Sequence, residues 1–172
     1  MLYQRDSNPG LERMIERRRD AIHVDLIPRD GSMRALIREL ASGRSVGLVV
    51  DNRYDEGELV PFFGVDAPTL TTPARLALRF RCDLVPVRVE RVSDGARFRV
   101  TFHEPVRPSD PTRDKAEQAR DMTRQVNELF ERWIRERPAQ WVTAKRRWPR
   151  GEPAALPAPS KPTVDGAIFE RA

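Results

Sequence analysis

One stretch decides the fold expected of this chain: Val46-Gly-Leu-Val-Val50, followed by Asp51-Asn-Arg-Tyr-Asp-Glu-Gly-Glu-Leu-Val-Pro-Phe-Phe-Gly64. The apolar run at 45–50 predicts a central parallel strand, because parallel sheets covered by helices bury both faces of their strands. Asp51 leaves the carboxyl end of that strand, and Arg53 follows two positions later. Ligands of α/β folds bind at such strand ends. The stretch therefore predicts a substrate site built around Asp51 and Arg53.

The segments around this stretch alternate between helical and strand patterns. Asn8-Pro9 opens a helix through about Arg18, and apolar residues at helical spacing predict a second helix that Gly43 stops. Two further helices are predicted at about 72–81 and 112–135, and the predicted strands are 23–27, 84–91 and 96–102, the last two forming a hairpin across Ser93-Asp94-Gly95. The order predicts an α/β fold, a three-layer arrangement of a mixed sheet flanked by helices.

The chain resembles the lipid A biosynthesis acyltransferases, the lauroyl and myristoyl transferases of Gram-negative inner membranes. The segment at 46–64 is similar to their strand and loop, and Ile27-Pro-Arg-Asp30 fits upstream. Three further matches follow in the family's order: Thr71-Thr-Pro-Ala-Arg-Leu-Ala-Leu78, Leu84-Val-Pro-Val87, and Arg137-Pro-Ala-Gln-Trp141 with Arg146-Arg-Trp148. The resemblance covers roughly residues 2 to 149 and implies a glycerolipid-acyltransferase-like fold.

The family's catalytic motif, His-x-x-x-x-Asp/Glu, has no match in this sequence. Pro28 stands five residues after His23, and Pro108 stands five residues after His103. In the family the motif, and a membrane-spanning helix before it, lie upstream of the region where Met1 stands. We therefore expect an N-terminally truncated chain, the C-terminal half of such an enzyme, without catalytic residues of its own.

The resemblance also implies which residues bind substrate. Such enzymes transfer a fatty acyl group from acyl carrier protein to a hydroxyl of a lipid A precursor, and cationic side chains hold the phosphates. The implied substrate-binding residues are Arg5, Asp51, Arg53, Arg146 and Arg147. Gln4 stands where the family's early motif has arginine, with Arg5 one place late.

The residues themselves leave alternatives open. Asp51 could cap a turn while Arg53 pairs with it or with Asp55, and Lys145-Arg146-Arg147 could be a solvated helix end rather than a contact to lipid headgroups. Phe62 and Phe63 fit a hydrophobic core better than an acyl groove.

The charge of the chain indicates which kind of binding partner to expect. The net charge is +5 with a pI of about 10.1, carried by 28 arginines against three lysines. This bias suits anionic partners such as an anionic membrane surface, and the alternative is codon bias with arginines spread over a solvated surface. The arginines alternate with acids, as in Arg113-Asp-Lys-Ala-Glu117, so we expect no nucleic-acid binding. The sequence shows no metal-ligand spacing, and no cofactor is expected. The single cysteine, Cys82, is expected to be buried.

Two regions divide the chain. Residues 1–149 are expected to be the C-terminal part of an acyltransferase domain, and 150–172 a proline-rich disordered tail. No apolar run reaches the roughly 20 residues of a spanning helix. The family implies the cytoplasmic face of the cell inner membrane, and this chain alone would be cytoplasmic or peripheral. A non-catalytic basic module that binds anionic lipid or acyl carrier protein is the alternative function.

Overall fold

A computed structural model describes residues 2–3, 7–20, 25–28, 32–142 and 145–149. The strands are β1 (Leu2–Tyr3), β2 (Ile27–Pro28), β3 (Glu58–Phe62), β4 (Val65–Thr69), β5 (Val87–Arg91) and β6 (Phe98–Phe102). The helices are α1 (Pro9–Asp20), α2 (Ser32–Ala41), α3 (Thr72–Phe80) and α4 (Lys115–Glu136), and a short 3-10 turn follows at Pro138–Gln140. The predicted tail at 150–172 lies outside the described residues.

The helices form where their sequence signals predict. Asp114 caps α4, because its side chain accepts hydrogen bonds from the backbone N–H groups of Ala116 and Glu117. Gly43 follows α2 with a φ of 77°, and Arg81 ends α3 in the left-handed conformation. Cys82 comes directly after this end and is exposed, so the prediction of a buried cysteine is wrong: the chain has already left the packed face of the helix.

The long helix α4 packs an apolar stripe into the protein. Ala119 is fully buried and Met122 is 3% exposed, both in a cluster with Ala74 and Ala77 of α3. Val126 packs against the same cluster. The stripe is therefore a packing face.

A carboxylate on α4 anchors the loop that precedes the helix. Asp121 accepts hydrogen bonds from the N–H of Ser109 at 2.8 Å, from Arg124 at 2.8 Å and from Gln125 at 2.9 Å. Burial raises the pKa of Asp121, but the hydrogen bonds from Ser109, Arg124 and Gln125 outweigh it and lower the pKa to about 2. Gln125 also donates to the carbonyl of Arg107 at 2.8 Å.

The described strands form three separate two-stranded sheets. β1 and β2 pair in parallel, whereas β3 with β4 and β5 with β6 are antiparallel hairpins. The predicted β5–β6 hairpin is confirmed. The β3–β4 hairpin was not predicted; Phe63 and Gly64 turn it with φ values of 54° and 76°, as a two-residue turn with two positive φ angles requires.

The prediction of a central strand at 45–50 is wrong, since the described structure gives this segment no strand partner. It is extended, and its residues alternate between exposed and half-buried. Val46 and Leu48 pack against a cluster of Ile27, Leu36 and Leu76, whereas Val49 is 62% exposed. A strand exists only where a neighbouring backbone forms a ladder with it, and no backbone hydrogen bond of 45–50 occurs within the described residues.

These elements confirm the α/β class. Because the described strands do not join into one sheet, the three-layer, glycerolipid-acyltransferase-like arrangement stays a prediction. The strand predicted at 23–27 is described only from residue 25, and there Ile27 opens β2.

Candidate functional site

The loop after the extended segment folds back onto β4. The N–H of Tyr54 donates to the carbonyl of Pro68 at 3.4 Å, and the N–H of Gly57 donates to the carbonyl of Tyr54 at 2.8 Å. A Cβ atom at Gly57 would lie 2.4 Å from the carbonyl oxygen of Thr69. Glycine is therefore required here, because the two backbones approach too closely for a side chain. The loop at 51–57 is fixed by this contact.

Arg53 is held by two partners within this loop and the C-terminal segment. Its Nε lies 2.5 Å from Oδ1 of Asp55, and its Nη1 donates to the carbonyl of Trp148 at 3.3 Å. The hydrogen bond from Arg53 is the main cause that lowers the pKa of Asp55. The alternative in which Arg53 pairs with Asp55 is thus confirmed. A substrate contact by Arg53 remains a prediction, as does one by the half-buried Asp51.

Arg147 lies inside the protein. It is 2% exposed, and its guanidinium donates to the carbonyl of Pro68 at 2.6 Å and to Oγ1 of Thr69 at 2.7 Å. The guanidinium carbon stands 4.8 Å from the centre of the Phe62 ring. Burial lowers the pKa of Arg147 to about 10, and the charge of Asp51 partly opposes this effect. Arg147 therefore joins the C-terminal segment to the β3–β4 hairpin.

The three basic residues at 145–147 do not share one surface. Lys145 and Arg146 are exposed, whereas Arg147 is turned inward. Nζ of Lys145 lies 3.7 Å from Oδ2 of Asp55, so it adds positive charge beside the Arg53 pair. The structure thus brings Arg53, Lys145 and the inner Arg147 to one end of the β3–β4 hairpin. Arg5 lies outside the described residues.

The predicted aromatic pair belongs to the core. Phe62 is fully buried and Phe63 is 7% exposed, which confirms the core interpretation over an acyl groove. Trp141 and Trp148 pack against Phe62, each with ring centroids 5.9 Å away, and the indole N–H of Trp148 donates to the carbonyl of Phe62 at 3.0 Å. This aromatic cluster holds the backbone of residue 148 where Arg53 can reach it.

Sequence reasoning missed two parts of this site. The first is the tight turn of the loop at Asp55-Glu-Gly57, which the turn-forming residues of this segment could have predicted. The carbonyl of Trp148 gives no sequence signal, because any residue offers a carbonyl and only the packed fold brings this one to Arg53 across 95 positions.

No described carboxylate pairs with His103. His103 stacks on Trp133 with ring centroids 4.7 Å apart, and in the described structure its Nε2 is buried without a hydrogen bond. His23 lies outside the described residues. Within the described ranges, no helix combines the length and apolar character needed to cross a bilayer.

Comparison with known proteins gives the chain its family. A family model described as bacterial lipid A biosynthesis acyltransferase matches residues 1–150, the whole region for which the resemblance was stated. A search of curated proteins finds no match. Because the family match covers most of the 172 residues, the chain belongs to the bacterial lipid A biosynthesis acyltransferase family.

Proposed function

We propose that this chain serves fatty acyl transfer from acyl carrier protein to a hydroxyl of a lipid A precursor. The observation that carries the proposal is Arg53, which is fixed by Asp55 and the carbonyl of Trp148 while its side chain stays 27% exposed. A guanidinium has five N–H donors in a planar fork that matches phosphate oxygens. Two of its nitrogens are engaged, so further donors remain for an anionic group.

The charge around Arg53 favours a phosphate. Lys145 and Arg146 are exposed on the C-terminal segment, and Lys145 reaches the same carboxylate as Arg53. Phosphopantetheine of acyl carrier protein and the phosphates of a lipid A precursor are both anions that such a group binds by charge-assisted hydrogen bonds. In this proposal the substrate is contacted by Arg53, Asp51 and Arg146. Acyl transfer takes place at the cytoplasmic face of the inner membrane.

The proposal is tested by binding. Replacing Arg53 with Gln removes the charge while keeping a hydrogen-bonding side chain, and we expect at least tenfold weaker binding of acyl carrier protein or of the lipid A precursor. Arg113→Gln is the matched control, because Arg113 is exposed just before α4 and forms its ion pairs with Asp110 and Glu117. An equal loss of binding in both variants would show that Arg53 contributes only through the net charge of the protein, and would contradict the proposal.

Catalysis by the chain alone is not expected, because neither histidine stands five residues before an acid. The measurement is acyl transfer from acyl carrier protein to a lipid A precursor. We expect no turnover above background. Turnover that disappears in His23→Ala or His103→Ala would show that one of these histidines is a general base after all.

A non-catalytic module that binds anionic lipid is the second candidate. Exposed Lys145 and Arg146 lie beside the half-buried Trp148, and each basic residue at an anionic surface contributes about 1 kcal/mol. The double variant Lys145→Ala/Arg146→Ala should therefore bind anionic liposomes about 30-fold more weakly. Binding to neutral liposomes at the same level, or no loss in the double variant, would leave these residues as solvated surface.

A further inference from the structure

An open groove runs between the extended segment at 45–50 and strand β5. Its volume is about 1120 Å³, above the roughly 300–1,000 Å³ of small-molecule pockets. Helices α3 and α4 supply further lining through Leu76, Phe80 and Phe130. Val49 and Val89 belong to the two extended walls and are 62% and 60% exposed. The groove is therefore an apolar slot between two extended stretches of backbone.

The wall formed by β5 presents free backbone groups. The carbonyl of Pro86 accepts from the N–H of His103, and the N–H of Val92 donates to the carbonyl of Arg97, so these residues face β6. Backbone groups of a strand alternate in direction. The N–H and C=O groups of Val87 and Val89 therefore face away from β6, and they have no hydrogen bond to any described residue.

At Arg91, the C-terminal end of β5, the outward-facing backbone N–H and C=O groups do have hydrogen-bond partners. The side chain of Gln140 accepts from the N–H of Arg91 at 2.9 Å and donates to its carbonyl at 3.0 Å. The amide of Gln140 thus pairs with Arg91 as a neighbouring strand would. It closes the edge at Arg91 and leaves the part of β5 before it open towards the opposite wall at 45–50.

The outer face of the β5–β6 hairpin is also apolar. Arg88 and Glu90 point to the inner side, where Arg88 pairs with Glu136 and lies 5.8 Å from the Trp133 ring. The outer side carries large apolar residues, of which Phe102 is 72% exposed; the others are Val87, Val89, Phe98 and Val100. An exposed apolar patch of this kind marks an interaction surface.

We propose that the groove binds an extended, apolar segment of a different protein, rather than of a second copy of this chain, as an inserted β-strand. Such a strand would pair its backbone with Val87 and Val89 on one side and with residues 45–50 on the other, and would pack its side chains on α3 and α4. It would give the segment at 45–50 the ladder that it lacks. This inference does not depend on the proposed catalytic function.

The backbone chemistry separates a polypeptide from an acyl chain. A hydrocarbon would fill the apolar volume but would cover the free N–H and C=O groups without bonding them, and burying an unbonded polar group is unfavourable. An inserted strand removes this cost because it supplies donors and acceptors at the same spacing.

The test uses a capped peptide of eight residues that alternates valine and threonine. Cys82 is the single cysteine of the sequence, is exposed and lines the groove, so an environment-sensitive dye on its thiol reports binding. We expect saturable binding with slower amide exchange at Val87, Val89 and 46–50. A peptide of the same sequence with alternate backbone nitrogens methylated should bind at least tenfold more weakly.

A matched pair of variants tests the location. Val89→Glu places a charge in the groove at an exposed position, so folding is kept, and should weaken peptide binding at least tenfold. Met14→Glu makes the same change at a 49%-exposed position on α1 that does not line the groove, and should leave binding unchanged.

Four outcomes would overturn the proposal. Equal binding of the methylated peptide, or no saturable binding of either peptide, would exclude strand insertion. Myristate that binds more tightly than the peptide without slowing amide exchange would assign the groove to an acyl chain. Protection of the same amides that rises with protein concentration in the absence of peptide would assign it to a second copy of this chain.

Discussion

Removing the side chain of Arg147 is expected to destabilise the fold rather than to abolish a substrate contact alone. The guanidinium is 2% exposed and bonds to Pro68 and Thr69 of β4. Each hydrogen bond from a charged donor contributes roughly 1.5–3 kcal/mol, and the contact with Phe62 adds about 1–2 kcal/mol. The interactions lost in Arg147→Ala therefore total roughly 4–8 kcal/mol.

Part of this loss is recovered because the charge is no longer buried. Burial lowers the pKa of Arg147 well below the usual value for arginine, to about 10, which corresponds to a cost of about 3 kcal/mol for the charged form. The partners also keep other bonds: Thr69 donates to the carbonyl of Ala67, and the carbonyl of Pro68 accepts from Tyr54. The net loss expected for Arg147→Ala is about 2–4 kcal/mol. Arg147→Met should cost about half as much, because methionine refills the volume of the aliphatic stem over Phe62.

The assay is urea unfolding followed by tryptophan fluorescence, with thermal unfolding beside it. A loss of this size lowers Tm by roughly 5–15 °C for a chain of this length. Arg146→Ala is the matched control, since Arg146 is the exposed neighbour and should change stability by less than about 0.5 kcal/mol. Wild-type stability of Arg147→Ala, together with lost binding of the lipid A precursor, would refute the structural role and favour the predicted substrate contact.

Three further changes probe the loop, the helix anchor and the groove. Asp121→Asn should lower the free energy of unfolding by about 2 kcal/mol at pH 7 and by almost nothing at pH 2. The lowered pKa of the Asp121 carboxyl stabilises the fold above about pH 4, and this contribution is lost as the pH falls towards 2. An equal loss at both pH values, measured by urea unfolding, would contradict this. Gly57→Ala should lower the free energy of unfolding by roughly 1–3 kcal/mol, because the added Cβ would clash with the backbone of Thr69. An unchanged urea midpoint would show that the loop can move to accommodate the methyl group. Gln140→Ala should speed amide exchange at Arg91 at least tenfold, and unchanged exchange would disprove the capping of that edge.

Local signals predicted the helices and the hairpin well, because the physics behind them is local. The Pro73 start and the Gly43 stop act within one turn of the chain. The Ser93-Asp94-Gly95 turn brings β5 and β6 together in the same way. The strand at 45–50 was predicted wrongly because apolar character indicates burial, whereas a strand also needs a neighbouring backbone that no local sequence reveals.

The site was predicted in part. The sequence placed Arg53 at the end of an apolar segment and foresaw its pairing with Asp55 as an alternative, since the two residues lie two positions apart. It grouped Arg146 with Arg147, because adjacent arginines look alike in a sequence. The structure separates them: Arg147 finds Pro68 and Thr69 nearly 80 residues away and turns inward, and Arg146 stays in solvent.

The sequence by itself determined the family of this protein, its α/β class and the ends of its main helices. These follow from motif order and from interactions between residues a few positions apart. Only the tertiary structure decided which arginine is a structural link and which is open to a ligand, and where unpaired backbone meets an apolar groove. The reason is physical: burial and hydrogen-bond satisfaction are properties of the packed chain, set by contacts between residues far apart in sequence.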